Sequence, residues 1–267
     1  MSALLVELLR PVHWPLFALV SARVVGVLIV APLWSMQAVP ARVRGAAAVV
    51  ISLMLLPAAA TAPIDLTGPL PLLSLPIEFL IGVAIGLTAA FFVHGLTVAA
   101  EVVSLQMGLS LGAALGGMTD IGTPGIGQFY GQSALVIFAA LGGPLLIVAA
   151  LGGSIAALPP GSVLNGSEGA RTLLAMSGSV FSSAVRVAAP VMVALLVVNL
   201  ALAVLNRAVP QLNTMMVAVP ITTTVGLLAI GATLLLFGGE VARWVAGIDD
   251  GIGRFIGSLA LAQAGVR

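Results

Sequence analysis

Six apolar segments, separated by short polar or glycine- and proline-marked breaks, set the pattern of this chain. The first runs from about Trp14 to Trp34, long enough at ~20 residues to cross a hydrocarbon layer, with an aromatic at each end where membrane interfaces favour them. The second, about Gly45–Pro57, is short unless Ala58–Ala62 extends it. The third runs from Leu72 to Ser110, and only Pro76, near its start, would stop a helix. As one rod it would reach about 60 Å at ~1.5 Å per residue, about twice a ~30 Å hydrocarbon core. The fourth, about Phe129–Leu158, carries a Gly142-Gly143-Pro144 triplet that predicts a kink. The fifth, Thr172–Arg207, is overlong like the third and is interrupted only by Pro190. The sixth runs about Met215–Val245, and after it Ile248, Ile252, Phe255, Ile256 and Leu259 recur at helical spacing. That spacing predicts a short amphipathic helix lying on a surface or a partner. The fold class expected is therefore all-α, a polytopic membrane-type set of helical hairpins. Segments twice the bilayer's thickness must be broken, or must leave the bilayer under the cover of other protein. The pattern favours a large helical assembly, with two tightly bent hairpins as the other option.

Composition agrees with that class. Hydrophobic residues make up 60% and charged residues 7%, whereas an ordinary soluble domain carries about 25% charged residues. A net charge of +1 provides no basic patch of the kind nucleic acid needs. There is no cysteine, which excludes disulfides, thiolate metal sites and cysteine catalysis. The amino terminus does not read as a cleavable signal, because Glu7, Arg10 and Arg23 interrupt what should be an unbroken apolar region. The short loop bearing Arg42 and Arg44 is expected in the cytoplasm by the positive-inside rule.

Five ionisable residues lie inside apolar segments: Arg23, Glu78, His94, Glu101 and Arg186. A charge at a span centre costs roughly 2.5–3.5 kcal/mol on insertion scales, so such residues usually face a bundle interior and are paired. Either Glu78 or Glu101 could neutralise Arg23. Glu78, Gly82, Gly86, Ala90 and His94 form a row at intervals of four, and its GxxxG pair admits close approach of another helix, or forms a groove. His94, Thr97, Glu101 and Ser104 continue as a polar stripe on one helix face. The stripe reads either as part of a proton relay or as interhelical hydrogen bonds within an assembly. Two histidines in the whole chain give no metal-ligand spacing. Neither G-x-S-x-G, nor a phosphate loop with lysine, nor H-E-x-x-H occurs. No cofactor is expected.

The least ordinary stretch follows Gln106-Met107-Gly108. From Ser110 it continues Leu111-Gly112-Ala113-Ala114-Leu115-Gly116-Gly117-Met118 and stays rich in glycine as far as Gly127. A pliable loop without the charged and polar residues of a linker suits a gate or plug. It also suits a packed re-entrant connector, since irregular backbone at membrane depth must be buried in protein or line a cavity. A second motif, Arg207-Ala-Val-Pro210-Gln211-Leu-Asn213, forms a tight basic turn on the same side as Arg42 and Arg44.

The long segment ending in QMG before a glycine-rich loop, the RxxPQxN turn and the Gly142-Gly143 pair occur in this order across six hydrophobic segments. Together they resemble the R-subunit family of the flagellar and type III protein export gate (FliR-like), over about Arg10 to Trp244. The resemblance implies a non-enzymatic pore subunit in the bacterial inner membrane, within the flagellar basal body. Its expected partners are P-type and Q-type export-gate subunits in a hetero-oligomeric helical pore, other export-apparatus membrane subunits and unfolded export substrates. It implies one export-gate subunit over residues 1–267, with a P-like part over 10–158, a Q-like hairpin over 171–246 and the tail over 247–267. The family's plug falls on about Ser110–Met118. Two alternatives stand beside this reading: a proton-coupled secondary transporter using His94 and Glu101, and the virulence-secretion version of the same gate.

Overall fold

The computed structural model describes residues 14–35, 39–60, 70–108, 126–161, 166–209 and 214–264. Every regular element among them is an α-helix: α1 (Trp14–Val30), α2 (Ala41–Ala60), α3 (Leu70–Gln106), α4 (Ile126–Ala140), α5 (Gly143–Ala157), α6 (Gly166–Ala208) and α7 (Thr214–Ala264). Among the described residues four helical stretches are long and apolar enough to cross a membrane, or five if the α4–α5 pair counts as one span.

The overlong segments are continuous helices. α3 has 37 residues, α6 has 43 and α7 has 51, so at ~1.5 Å per residue they reach about 55, 65 and 75 Å. Pro76, Pro190 and Pro220 lie inside them, each removing one backbone N–H from the ladder without ending the helix. Pro57 likewise sits inside α2, which extends to Ala60 and so gains the length that its apolar core alone lacked.

Two expectations need correction. The first segment does not stay helical to Trp34: α1 stops at Val30, and a turn occupies residues 31–35. Pro32 explains the stop, because its ring disfavours helical backbone at Ala31 and it has no N–H to offer. At 17 residues α1 falls below span length. The amphipathic tail is not a separate helix lying on a surface. It is the last part of α7, and Val245, Ile248, Ile252, Phe255, Ile256 and Leu259 are all buried within this chain.

The chain divides into two compact units. The first takes Met1–Phe91, Ala139–Ser177 and Val245–Arg267, and the second takes Phe92–Phe138 and Gly178–Trp244. This division cuts across α3, α6 and α7, so each unit draws on both halves of the sequence. In the first unit α1 packs on α2, and α2 packs on α5. α5 contributes Ile147, Ala150, Leu151, Ser154 and Ile155, a buried stripe at helical spacing that Leu158, just past its end, continues. The end of α7 lies against the start of α6: a Cβ on Gly169 would meet Leu259 Cδ2 at 2.7 Å and Phe255 Cε2 at 3.3 Å. At the break between α4 and α5, Gly142 takes a left-handed conformation at φ 78°, where the Gly-Gly-Pro triplet is expected to interrupt the helix. The left-handed well suits a residue with no Cβ, and Pro144 fits the first turn of α5, where its missing N–H leaves no bond unmade.

Candidate functional site

The first unit is built around a close crossing of α1 and α3. A Cβ on Gly82 would collide with the Arg23 carbonyl oxygen, and one on Gly26 would collide with the Phe79 carbonyl oxygen. On Gly86 it would lie 2.8 Å from Val27 O. All three contacts are with backbone, which cannot swing aside. Glycine on both helices is thus what lets the two backbones touch, the small-residue packing that membrane helices use.

That closeness brings Arg23 and Glu78 together. Arg23 is 0% and Glu78 1% exposed, and Arg23 Nε donates to Glu78 Oε2 at 2.6 Å. Arg23 Nη1 donates to Ser154 Oγ at 3.2 Å and Nη2 donates to the Leu158 carbonyl at 3.1 Å. Glu78 Oε1 accepts the Gly161 backbone N–H at 2.9 Å. The guanidinium therefore sits at the C-terminal end of α5, where carbonyls lack helical partners and a cation is favoured. The Ser154 hydroxyl in turn donates to Leu151 O at 2.8 Å. One ion pair ties α1, α3, α5 and the turn after α5 into a single hydrogen-bonded cluster. Desolvating each ion costs several kcal/mol, and these additional bonds are what make burial of the pair tolerable.

The second unit holds the end of α3. Met107 is fully buried, and a Cβ on Gly226 would lie 2.6 Å from its Cγ, Sδ and Cε. Thr222 Oγ1 donates to the Met107 carbonyl at 3.0 Å. Gly108 then adopts φ 75°, the left-handed step that ends many helices. The QMG motif is thus a helix end docked on α7, and it delivers the chain into the glycine-rich loop. Gln106 Oε1 is buried and has no hydrogen-bond partner among the described residues. Nearby, Thr97 and Ser104 donate to the carbonyls four residues back, Val93 and Ala100, and a Cβ on Gly131 of α4 would press on Thr97 Oγ1 at 2.6 Å.

Of the residues singled out from sequence, Arg23, Glu78, Gly82 and Gly86 come together in the first unit. Gln106 and Met107 lie at the docked end of α3 in the second. His94 and Glu101 do not join either cluster. They lie exposed on α3 in line with Val98 and Leu105, also exposed, so the His94–Glu101 stripe is not buried within the described chain. The physical reason is the stripe's register. Val103 and Ala100 take the inward positions of that turn, and Thr97 and Ser104 satisfy their hydroxyls locally. Arg207 is exposed in the last turn of α6, a favourable place for a cation. Pro210, Gln211 and Asn213 lie outside the described residues, as does the whole stretch Ser110, Leu111, Gly112, Ala113, Ala114, Leu115, Gly116, Gly117 and Met118. Sequence reasoning missed Ser154, Gly161, Thr222 and Gly226. A lone serine in an apolar helix gives no signal, but Thr222 and Gly226 repeat the four-residue spacing of Gly82 and Gly86. Among the described residues no group of three or more His, Cys, Asp or Glu could hold a metal ion.

Residues 14–247 match the sequence profile of a family described as bacterial export proteins, family 1. The chain belongs to this export-protein family. Relatives include the flagellar biosynthetic protein FliR of Escherichia coli (strain K12), 29% identical over 223 residues and 84% of both chains. The protein of the same name from Pectobacterium carotovorum subsp. carotovorum is 30% identical over 226 residues and 84% of both chains. That from Aquifex aeolicus (strain VF5) is 32% identical over 160 residues, 60% of this chain and 61% of its own. The export-family match takes in both clusters, the buried ion pair and the docked end of α3.

Proposed function

We propose that this chain is a non-enzymatic pore subunit of the flagellar protein export gate and that the loop after Gly108 helps to close the pore. It is an inner-membrane component of the flagellar basal body. The observation that carries the proposal is the family match over residues 14–247, a range that takes in α3, α6, most of α7 and both ends of the glycine-rich loop. The spans leave most of their surface to lipid or to partner subunits. Only 17% of the residues in the apolar stretches Ala188–Ala208 and Met216–Thr233 are buried by the chain itself. Helices α6 and α7 extend well beyond a ~30 Å hydrocarbon layer, a length that suits a chain assembled with other export-apparatus membrane subunits. P-type and Q-type subunits fit that need, with residues 10–158 of this chain acting as a P-like part and 171–246 as a Q-like hairpin. Unfolded substrates would cross through the resulting pore, and the work would be done by other components. The flagellar names of the relatives favour the flagellar gate over the virulence version.

The loop assignment has a direct test. Replacing residues 111–117 with a shorter Gly/Ser linker, in cells that carry the complete apparatus, should raise the leakage of ions and small molecules. Unchanged permeability would count against a plug and leave a packed connector.

A further inference from the structure

Thr222 is 4% exposed and has one hydroxyl proton with three carbonyls in reach: Met107 O at 3.0 Å, Ala218 O at 2.9 Å and Val219 O at 3.2 Å. A single proton serves one strong bond at a time. The bond to Met107 holds the end of α3 on α7. The bond to Ala218 is the ordinary return of a helical threonine to the carbonyl four residues back. Moving the end of α3 away would therefore not orphan the buried hydroxyl, because its other partner is already in place. The Met107 side chain fills the space over Gly226, where any Cβ would meet it at 2.6 Å.

We infer that Thr222 is a positioning residue, a releasable latch that docks the Met107 end of α3 on α7 and so sets where the glycine-rich loop begins. On release the hydroxyl keeps a partner by exchanging one carbonyl for another. A fixed anchor would instead leave a buried group unsatisfied on release, which is costly. This inference rests on the plug reading for its effect on the pore, but the joint itself is independent of that reading.

The test uses the assembled apparatus in native membranes. The chain has no cysteine, so Met107→Cys places a single reporter at a buried position in it. Its rate of reaction with N-ethylmaleimide is compared in the parent, Thr222→Val and Thr222→Ser backgrounds, using only chain that co-purifies with its partners. Thr222→Val keeps the shape and removes the donor, so labelling should run about fivefold faster, the equivalent of one net hydrogen bond. Thr222→Ser should restore the parent rate. Equal rates in all three backgrounds would overturn the latch, and so would failure of both variants to assemble, which would make Thr222 merely part of the fold. Faster labelling without leakage, together with a shortened loop that also fails to leak, would leave the latch standing and remove the plug.

Discussion

Glu78→Leu removes one partner of a pair that is 0% and 1% exposed. Arg23 would then be a buried cation, and the Gly161 N–H would lose its acceptor at 2.9 Å. Breaking a buried pair from one side costs about 3–5 kcal/mol, most of it from the uncompensated charge. An orphaned buried N–H adds about 1–3 kcal/mol. Arg23→Met is the milder single change: it removes the guanidinium but leaves Glu78 with the Gly161 N–H as its remaining donor in the cluster. The double variant Arg23→Met, Glu78→Leu has no buried charge left, and replacing such a pair with apolar side chains is often neutral. Gly161 N–H and Leu158 O still lose their partners, so the double variant should stay below the parent but recover more than half of the larger single loss. The assay is the unfolding midpoint of the purified chain in mixed detergent micelles, with a double-mutant cycle over the four proteins. Two outcomes would refute the reasoning: Glu78→Leu with the parent's midpoint, or a double variant weaker than the sum of the singles.

Three further outcomes follow from the packing. Gly82→Val would drive a branched side chain into the Arg23 backbone, and overpacking of at least about 1–3 kcal/mol should reduce the amount of chain recovered from membranes; Gly153→Val, where a Cβ meets nothing within 4 Å, is the control. Phe255→Ala should cost about 3–5 kcal/mol if the end of α7 belongs to the core, as its 3% exposure indicates. An unchanged unfolding midpoint would return the tail to a surface role. Glu101→Gln should leave export intact, because Glu101 belongs to neither buried cluster. Loss of transport with normal assembly would instead favour the proton-coupled transporter.

Much of this was legible in the sequence because apolar length and charge placement act locally. An arginine and a glutamate inside apolar segments had to be paired, and the interval of four between Gly82 and Gly86 named the face that approaches another helix. What could not be read was which acid would take Arg23. The choice depends on Gly26 and Gly82 bringing α1 and α3 into backbone contact, and on Ser154, Leu158 and Gly161 supplying the remaining bonds from a distant part of the chain. The end of α1 was misread because Pro32 was outweighed by the apolar run around it. The tail was misread for the opposite reason. Its stripe is amphipathic, but a periodic stripe says that a face is covered and not by what, and here the cover is the start of α6. Thr222 escaped notice because a threonine in an apolar helix usually bonds its own backbone, and this one does so while also reaching α3.

The most direct measurement is to purify the tagged chain from native membranes in mild detergent and identify what accompanies it. Recovery in a large, stable particle with P-type and Q-type export-gate subunits is the expected result. Recovery alone or as a homodimer would contradict the account and turn attention to the His94–Glu101 face of α3.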